Sequence, residues 1–565
     1  MSTNYTKHFS TIKTPQSEKI PGSKQVPNSA GGFAFAVDDW TRLDRFLILG
    51  CEGNSYYASA KKLTVENAQS VQRCLDADYE RTVGRIVEIS TQGRAAKNDA
   101  AIFALAMVAA VKGKTAAMDA IPLVCRTGTH LFQFVESVRA FRGEGRSLLR
   151  GIRNWYLGKE PEAVEYQVIK YQQRNGWSHK DILRLCHPKT DNEALKDIFH
   201  WIVKGWDKEG EPIRVVNSRL DKIYAFEKAK RSTDKKEICS LIRDYNLPRE
   251  CIPTQFLKEA EVWEALLEKM PMTAMIRNLA TMTRVGLIAP LSAAAKTVAG
   301  RLVDDVILKK ARVHPIAVLN AMLTYKAGRG VKGKSTWSPV SQVVDALDAA
   351  FYKAFGNVPS TGQNWLLGLD ISGSMGCCEI SGVPGLTPRV ASCAMAMVTA
   401  ATEPNHVFAA FTSSGWSGGR SRGQYSGMGY NNGVSQFDVS PRERLDAVCA
   451  KTAAMPMGGT DCALPMLWAM ENKIEVDNFV IYTDSETWHG DIHPVQALQQ
   501  YRNKMGRPSK LIVCGMVANE FSIADSNDAG MLDVVGFDSN TPALMTDFAT
   551  GGSSEKDQEE EVSEE

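Results

Sequence analysis

Four short apolar runs alternate with helix-like stretches in the last third of the chain, and this alternation limits the fold more than any other feature. The runs cover residues 365–370, 406–412, 478–483 and 510–515. The stretches with helical periodicity cover residues 389–401, 442–452, 464–471 and 494–504. Strands that alternate with helices pair in parallel, because each connection has to cross back over the sheet. We therefore predict a doubly wound α/β domain with a parallel core over residues 361–548.

The preceding region, residues 39–360, shows an almost wholly helical pattern. Residues 101–111 are apolar and rich in alanine, and the run is too long for a typical strand, so it predicts a buried helix. Similar stretches, separated by short Gly, Pro or Asn breaks, cover residues 65–75, 80–89, 162–172, 193–203, 262–269 and 315–326. Many medium-length helices with no strand between them predict stacked helical pairs, which is a helical-repeat architecture.

The composition is that of a soluble globular protein, with 44% hydrophobic and 23% charged residues. The sequence contains no apolar run long enough to cross a bilayer, and its first residues lack the apolar core of a signal peptide. None of the 12 cysteines forms a C-x₂-C pair, so we expect reduced thiols rather than a zinc cluster. These features predict a cytoplasmic protein without membrane contact.

Three segments depart from the globular pattern. Residues 1–38 are rich in Ser, Thr, Lys, Pro and Gly and predict a flexible N-terminal arm. A glycine-rich insertion at residues 413–433 contains arginine and aromatic residues, which fits a disordered loop or an RNA contact. Residues 549–565 predict an acidic disordered tail. The last eleven residues carry seven acids and one lysine, whereas the net charge of the whole chain is +2. The rest of the chain is therefore basic, which permits a polyanionic partner.

Oxygen-bearing side chains follow the ends of two of the apolar runs. Asp370 ends the first run, and Ser372 and Ser374 follow it at alternate positions. Ligands of open α/β sheets bind beyond the carboxyl ends of strands, so this turn would direct three side chains to one point. Thr460 follows a glycine pair, and Asp484 directly follows the third apolar run. Carboxylates combined with neutral oxygens suit Mg²⁺, Mn²⁺ or Ca²⁺ rather than zinc.

This set of five residues resembles the metal-ion-dependent adhesion site of von Willebrand factor A domains. In that family the site holds one divalent cation, directly or through water, and leaves a coordination position for an acidic group of a ligand. The resemblance implies one divalent cation here, Mg²⁺ first, with Mn²⁺ or Ca²⁺ as alternatives. The alternative to a metal site is that the hydroxyls only cap the next helix. An aspartyl phosphotransferase of the haloacid dehalogenase type is set aside, because it needs a second acid where this chain has Ser372.

A segment of the helical region combines cations with aromatic rings. Cations neutralise phosphates, and flat rings stack on unpaired bases, so the mixture indicates RNA binding. The candidate RNA-binding residues are Lys170, Arg174, His179, Lys180, Arg184 and His187. Ser178 would cap a helix that begins at His179, and Trp177 is expected in the core. The alternative is a solvated basic helix face.

Upstream of that segment, arginines are spaced as on one face of a helix, at Arg139, Arg142, Arg146, Arg150 and Arg153. A continuous helix is doubtful there, because glycines interrupt the row. Residues 328–335 match the P-loop pattern letter for letter. A P-loop has to follow a strand and open a helix, whereas a predicted helix precedes this match and a proline follows it closely. We interpret it as a chance match in a basic loop.

Taken together, these stretches resemble the Ro ribonucleoprotein autoantigen family, in which a TROVE domain precedes a von Willebrand A-like domain. The matching strings lie at residues 174–181, 270–279, 346–353, 458–462 and 511–516. The resemblance implies a ring of HEAT-like helical repeats followed by the A-like domain. It also implies that small noncoding Y-type RNAs bind the basic outer surface, where Lys170, Arg174 and His187 fall, and that the hole takes single-stranded 3′ ends of misfolded RNAs. The longer arm, the insertion and the acidic tail depart from the animal members and would suit a bacterial relative.

The resulting expectation is a non-catalytic, monomeric RNA-binding protein that acts in RNA quality control or processing. Its expected partners are Y-type and misfolded RNA, with an exoribonuclease or another acidic protein as the candidate ligand of the metal site. The alternative is a protein–protein assembly module that acts through a metal-dependent A domain. A metal-dependent nuclease or phosphatase is disfavoured, because one metal site with two carboxylates lacks the second metal that such enzymes often use.

Overall fold

The computed structural model describes residues 13–50, 60–111, 113–141, 145–174, 176–207, 220–330, 335–356, 358–376, 379–380, 386–413, 433–455 and 458–551, with the side chains of residues 60–64 left out. The described residues form two compact units. The sheet unit takes its residues from Met1–Ser70, Arg94–Ala96 and Phe355–Glu565, and the helical unit takes them from Val71–Gly93 and Lys97–Ala354. The last change of unit, between Ala354 and Phe355, lies close to the boundary predicted near residue 360.

The first described elements are β1 (Val26–Pro27), β2 (Phe33–Ala36), α1 (Asp39–Leu49) and α2 (Ala60–Ala77). The helical unit continues with α3 (Tyr79–Gln92), α4 (Asp99–Ala109), α5 (Ala116–Val124), α6 (Gly128–Phe141), α7 (Arg146–Leu157), α8 (Pro161–Lys170), β3 (Gln173–Arg174), β4 (Trp177–Ser178), α9 (His179–Cys186) and α10 (Glu193–Lys204). It ends with α11 (Asp221–Arg231), α12 (Lys235–Tyr245), α13 (Ala260–Lys269), α14 (Met272–Arg284), α15 (Ala293–Leu302), α16 (Asp305–Ala311), α17 (Pro315–Ala327) and α18 (Ser341–Lys353).

Local signals in the sequence begin and end these helices. The side chain of Asp78 accepts a hydrogen bond from the backbone N–H of Arg81, which begins α3, and left-handed Gly93 ends it. Helices of the helical unit pack on helices close to them in the chain: α3 contacts α4 and α5, α4 contacts α6, and α5 contacts α7. This local stacking confirms the predicted helical architecture of the region.

The helical unit differs from the prediction in one place, because β3 and β4 form a short antiparallel hairpin where no strand was expected. The hairpin pairs Arg174 with Trp177. Two-residue strands are too short to leave an alternating pattern in the sequence. Downstream, the helix α17 precedes the P-loop-like match at 328–335, as expected for a chance match, although residues 331–334 lie outside the described residues.

The sheet unit contains β5 (Trp365–Asp370), α19 (Pro388–Thr402), β6 (His406–Phe411), β7 (Val434–Gln436), α20 (Leu445–Ala453), α21 (Leu464–Glu471), β8 (Asn478–Thr483), α22 (Pro494–Met505), β9 (Lys510–Gly515), β10 (Phe521–Ser522), β11 (Met531–Val535) and α23 (Thr541–Thr550). Six of its strands form one sheet in the order β11-β9-β8-β5-β6-β7. All neighbours in that sheet pair in parallel except β6 and β7. The predicted doubly wound sheet with a parallel core is confirmed.

The strand β11 was not predicted, because it contains a charged residue. Asp533 lies in this strand and accepts hydrogen bonds from the guanidinium of Arg45 at 2.7 and 2.8 Å. Arg45 belongs to α1 and is fully buried. A charge within a strand breaks the apolar pattern, and the position is acceptable because Arg45 and the Ser522 hydroxyl both donate to the Asp533 carboxylate.

The expectation of a flexible arm over residues 1–38 is wrong for its described part. Residues 13–38 belong to the sheet unit, where β1 pairs with β2 and β2 pairs with β10. The helix α1, which the prediction assigned to the helical region, also belongs to the sheet unit. Polar composition predicts disorder only where the polar groups find no partners, and here they do.

Several predicted segments lie wholly or largely outside the described residues. They are residues 1–12, residues 414–432 of the glycine-rich insertion and residues 552–565 of the acidic tail. Among the helices that the structure describes, none combines the length and apolar character needed to cross a bilayer.

Candidate functional site

The candidate metal site lies at the carboxyl edge of the parallel sheet. Strands β5 and β8 are adjacent and parallel, with Leu369 opposite Tyr482, so both chains leave the sheet at the same edge. Asp370 is the last residue of β5, and Asp484 directly follows β8. The topology therefore delivers both predicted carboxylates to one edge, as the general rule for open α/β sheets requires.

Hydrogen bonds hold the turn after β5 in a defined shape. Asp370 Oδ1 accepts from the backbone N–H of Ser372 at 2.9 Å, and Asp370 Oδ2 accepts from Thr483 Oγ1 at 2.6 Å. The hydroxyls of Ser372 and Ser374 lie 3.1 Å apart. The Ser374 hydroxyl also hydrogen-bonds to Asp484. Four of the five predicted metal ligands thus form one chain of hydrogen bonds, which runs from Asp370 through Ser372 and Ser374 to Asp484.

The loop that carries Thr460 is tied to the same place through its backbone. The N–H of Gly373 donates to the carbonyl of Gly458 at 3.0 Å, and Thr412 Oγ1 donates to the carbonyl of Gly459 at 2.8 Å. The carbonyl of Thr460 accepts from the N–H of Trp488 at 3.1 Å. These bonds hold the Thr460 loop against the turns that follow β5 and β8.

The five side chains are buried, and two of them are acids. Their exposed fractions are 0% for Asp370, 1% for Ser372, 4% for Ser374, 1% for Thr460 and 5% for Asp484. Burial raises the pKa of Asp370, and burial together with the neighbouring Asp370 raises the pKa of Asp484. Two like charges in a buried site favour any ligand that brings positive charge between them.

The donor set fits a hard divalent cation. It consists of two carboxylates and three hydroxyls, which are oxygen donors of the kind that Mg²⁺, Mn²⁺ and Ca²⁺ prefer. In the part of the chain that the structure describes, there is no group of three or more His, Cys, Asp and Glu side chains that could hold a metal. A cation at this site would therefore be bound by mixed carboxylate, hydroxyl and water oxygens rather than by the nitrogen and sulfur set of a zinc site.

Two supporting residues were not identified from the sequence. Thr483 donates to Asp370, and Thr412 holds the Gly459 carbonyl. Both are threonines at the end of an apolar run, next to the predicted edge of the sheet. A hydroxyl at the end of a buried strand was the available signal, since a polar side chain at that position needs a partner.

The predicted RNA-binding residues of the helical unit lie at or near its surface, with one exception. Arg174, Arg184 and His187 are exposed, and Lys180 is half-buried. Lys170 is half-buried as well; its Nζ donates to the Tyr166 hydroxyl at 3.0 Å and lies over the rings of Tyr166 and Tyr171. These positions leave five of the six side chains open, wholly or in part, to a ligand.

His179 is the exception, and its assignment to the RNA surface is corrected. Only 2% of His179 is exposed, its Nδ1 lies 2.8 Å from the hydroxyl of Tyr156, and its ring packs on Phe132. Burial lowers the pKa of His179 to about 3, so the ring is neutral. Ser178 caps α9 as predicted, with a capping box to Asp181, but the first turn points His179 into the core.

Trp177 departs from its prediction in the opposite direction. Its ring is only half-buried, its Nε1 donates to Glu136 at 2.6 Å, and the guanidinium of Arg139 lies 5.1 Å from its ring centre. A cation above an indole ring is a favourable contact at a protein surface. Trp177 is therefore a surface residue of the hairpin rather than a core residue.

The arginine row is divided between two helices, as the glycines indicated. Arg139 lies on α6, Arg150 and Arg153 lie on α7, and residues 142–144 lie outside the described residues. A cleft of about 470 Å³ opens beside α7, and we call it the basic cleft. Its lining residues are Arg150, Arg153, Asn154, Leu157, His187 and Lys189. Arg153 Nε also donates to the carbonyl of Cys186 at 2.6 Å, which joins α7 to the end of α9.

Known proteins resemble this chain over almost its whole length. A model of the TROVE domain matches residues 26–324, and a model of the Ro60 vWA domain matches residues 364–549. The RNA-binding protein RO60 of Deinococcus radiodurans is 40% identical over 97% of this chain and 99% of that protein. The RNA-binding protein RO60 of Caenorhabditis elegans is 36% identical over 95% of this chain and 91% of that protein.

The solved structures agree with these matches. The crystal structure of the Deinococcus radiodurans RO (RSR) protein superposes with a TM-score of 0.66 and 40% identity, and the match covers 91% of this chain and 100% of that one. Fold and site together define a class of proteins in which a helical TROVE region precedes a von Willebrand A-like domain. The chain belongs to the RO60 family within that class, which confirms the resemblance drawn from its sequence.

Proposed function

We propose that this chain is a non-catalytic RNA-binding protein whose helical unit binds the phosphates of RNA at the basic cleft and the neighbouring cations. The relatives in Deinococcus radiodurans and Caenorhabditis elegans are both named as RNA-binding proteins. In the finer form of the proposal, small noncoding RNAs of the Y type bind this surface, and single-stranded 3′ ends of misfolded RNAs are a second ligand. The biological role would be RNA quality control or processing in the cytoplasm.

The observation that carries the proposal is the composition of the basic cleft. Two arginines from α7 meet a histidine and a lysine that follow α9, although more than thirty residues separate these stretches in the sequence. The described lining contains no acidic residue. Charge of one sign concentrated in a concave surface attracts a polyanion, and each neutralised phosphate releases a counterion.

The test is to crosslink the full-length protein to its RNA in cells with ultraviolet light and to identify both the attached RNAs and the attached peptides. We expect small structured RNAs on peptides from residues 146–189, with single-stranded 3′ ends as a minor class. In vitro, the double substitution Lys170→Ala with Arg174→Ala should weaken binding of those RNAs without unfolding the protein. Unchanged affinity would exclude this part of the surface.

We further propose that the sheet unit binds one divalent cation, with Mg²⁺ the first candidate and Mn²⁺ or Ca²⁺ the alternatives. Asp370, Ser372, Ser374, Thr460 and Asp484 would hold it. The bound cation would offset the repulsion between the two buried carboxylates and offer a coordination position to an acidic group of a partner protein. An exoribonuclease is one candidate partner of this kind.

A second candidate function follows from the same geometry: a protein–protein assembly module in which RNA binding is incidental. The close hydrogen-bonded arrangement of the buried oxygen donors at the sheet edge favours it. The two functions separate in a copurification experiment with Asp370→Ala. If the substitution removes a stoichiometric protein partner while small RNAs stay bound, the metal site serves assembly. If the purified protein cleaves RNA and Asp370→Ala abolishes the cleavage, the non-catalytic proposal is wrong.

A further inference from the structure

A glutamine near the N-terminus lies fully buried beside the loops of the candidate metal site. Gln16 has an exposed fraction of 0%. Its Nε2 donates to Asp461 Oδ1 at 2.6 Å and to the carbonyl of Ile492 at 2.8 Å. Its Oε1 accepts from the hydroxyl of Thr487. All three polar positions of one side-chain amide are therefore used, as expected for a buried amide.

These contacts reach both loops that supply later ligands of the metal site. Asp461 directly follows Thr460, and its Oδ1 also accepts from the N–H of Ala463 at 3.0 Å. Thr487 lies three residues after Asp484, and its hydroxyl also accepts from the N–H of Cys462 at 3.2 Å. The amide of Gln16 thus joins the loop that carries Thr460 to the loop that carries Asp484.

The backbone around Gln16 runs close to the same two loops. The N–H of Gln16 donates to the carbonyl of Gly490 at 2.8 Å, and Asn28 Nδ2 donates to the carbonyl of Thr487 at 2.7 Å. The carboxylate of Glu486 accepts from the N–H groups of Ser29 and Ala30 at 2.9 and 3.2 Å. The Glu486 side chain is buried from water, so these two backbone N–H groups supply hydrogen bonds that solvent cannot supply.

Two glycines permit this approach. A Cβ at Gly490 would overlap the Gln16 amide and the Asp461 carboxylate, and a Cβ at Gly32 would overlap the Thr487 carbonyl. The absence of side chains at both points lets segment and loop lie in contact. The segment is therefore closely packed against these loops.

We propose that Gln16 is a positioning residue of the metal site, and that its amide sets the separation of Thr460 and Asp484. We call the segment that carries it, residues 14–32, the strap. The inference rests on the proposed cation site. Outer residues that orient metal ligands typically change metal affinity by about 10- to 100-fold when they are replaced. A Gln16→Met substitution keeps the approximate size of the side chain but removes the donor to Asp461 Oδ1 and the acceptor of the Thr487 hydroxyl, so the two loops lose their link and should shift.

The test is calorimetric titration of the metal-free, full-length protein with Mn²⁺. Gln25→Met is the matched control, because Gln25 lies in the same strap and is 3% exposed. Its Nε2 lies 3.0 Å from His493 Nδ1, at the start of α22 rather than at the metal loops. We expect Gln16→Met to weaken Mn²⁺ binding by about 10-fold or more and Gln25→Met to leave it within about twofold of wild type.

The outcomes separate positioning from general stability. Equal Mn²⁺ affinity in the wild type and in Gln16→Met overturns the inference, as does an equal loss in both strap variants. If Gln16→Met does not fold, Thr487→Val takes its place: it removes the hydroxyl between Gln16 and Cys462 and should weaken Mn²⁺ severalfold, and unchanged affinity overturns the inference. If the wild type binds Mn²⁺ no more tightly than Asp370→Ala, the cation site itself fails and the inference fails with it.

Discussion

The candidate metal site and the basic cleft are built in opposite ways. The metal site is buried at the edge of a sheet, and its side chains are hydrogen-bonded to one another and to the backbone of neighbouring loops. The basic cleft lies at the surface of the helical unit, and long cationic side chains line it. A buried, ordered site can select one small ion, whereas flexible surface cations can follow the backbone of a polyanion. The difference predicts two ligands that bind independently.

The substitution Asp370→Ala should break the metal site and leave the cleft intact. A ligand that binds only the folded state at about 100 times its Kd stabilises it by about 2.7 kcal/mol, and the variant should lose this gain completely. The measurement is the free energy of unfolding with and without Mn²⁺, together with RNA affinity by fluorescence anisotropy. Asp438→Ala, at an exposed position, serves as the control. A parallel loss of RNA affinity would show that the two sites are coupled.

The two ends of α9 allow a sharp test of core against surface. His179→Ala should lower the free energy of unfolding by about 2–4 kcal/mol, because it leaves a cavity beside Phe132 and removes the partner of Tyr156. His187→Asn should change stability by no more than about 0.5 kcal/mol, because His187 is exposed and asparagine tolerates its φ of 45°.

RNA affinity should respond in the reverse order, since His187 lines the basic cleft and His179 does not. Chemical denaturation and RNA titration of the two variants provide the measurement. A fully stable His179→Ala variant with weakened RNA binding would return His179 to the RNA surface.

The buried histidine also predicts a dependence of stability on pH. The folded pKa of His179 is about 3, far below its ordinary value of 6.5, because burial disfavours the charged ring. The unfolded chain therefore takes up a proton between these values that the folded chain does not. Folding stability should fall as the pH drops below about 6.5, with a limiting slope of about 1.4 kcal/mol per pH unit from this residue.

Denaturant unfolding at pH 7 and pH 5 measures this slope. The wild type should lose more stability than His179→Ala over that interval. Equal losses in the two proteins would mean that the ring is not held neutral in the core.

The cleft should show the smallest effect per residue and a strong dependence on salt. Arg150→Ala and Lys189→Ala should each reduce the slope of log affinity against log salt by about 0.7–0.9, the value for one phosphate contact. RNA titrations across a range of salt concentrations measure it. The exposed pair Lys309→Ala and Lys310→Ala provides a control outside the cleft. A change in affinity without any change in slope would point to base contacts rather than phosphate contacts.

The fold and the positions of the candidate metal ligands were largely readable from the sequence. The apolar runs predicted β5, β6, β8 and β9 almost to the residue. A buried strand of a parallel sheet is apolar on both faces, so its length and its end are visible in the chain itself. The positions of Asp370 and Asp484 followed, because each lies at the end of such a run.

The RNA surface was readable only in part. On a surface helix, exposed and buried side chains lie close together in the sequence. In the first turn of α9, Lys180 is half-buried and its neighbour His179 is in the core. Composition identified the segment but not the direction in which each side chain points. The basic cleft could not be predicted, because it depends on the contact between α7 and the end of α9, and no local sequence pattern indicates that contact.

The sequence by itself determined which residues are candidate ligands of a hard cation and which stretches form the parallel sheet, because both depend on the order of neighbouring residues. The tertiary structure decided what supports them. Gln16 and Asp461 are 445 residues apart in the chain and share a hydrogen bond of 2.6 Å. A polar N-terminal segment predicts a flexible arm when its sequence is considered alone. Here its donors and acceptors have buried partners, and those partners lie on loops that only the folded chain brings close to it.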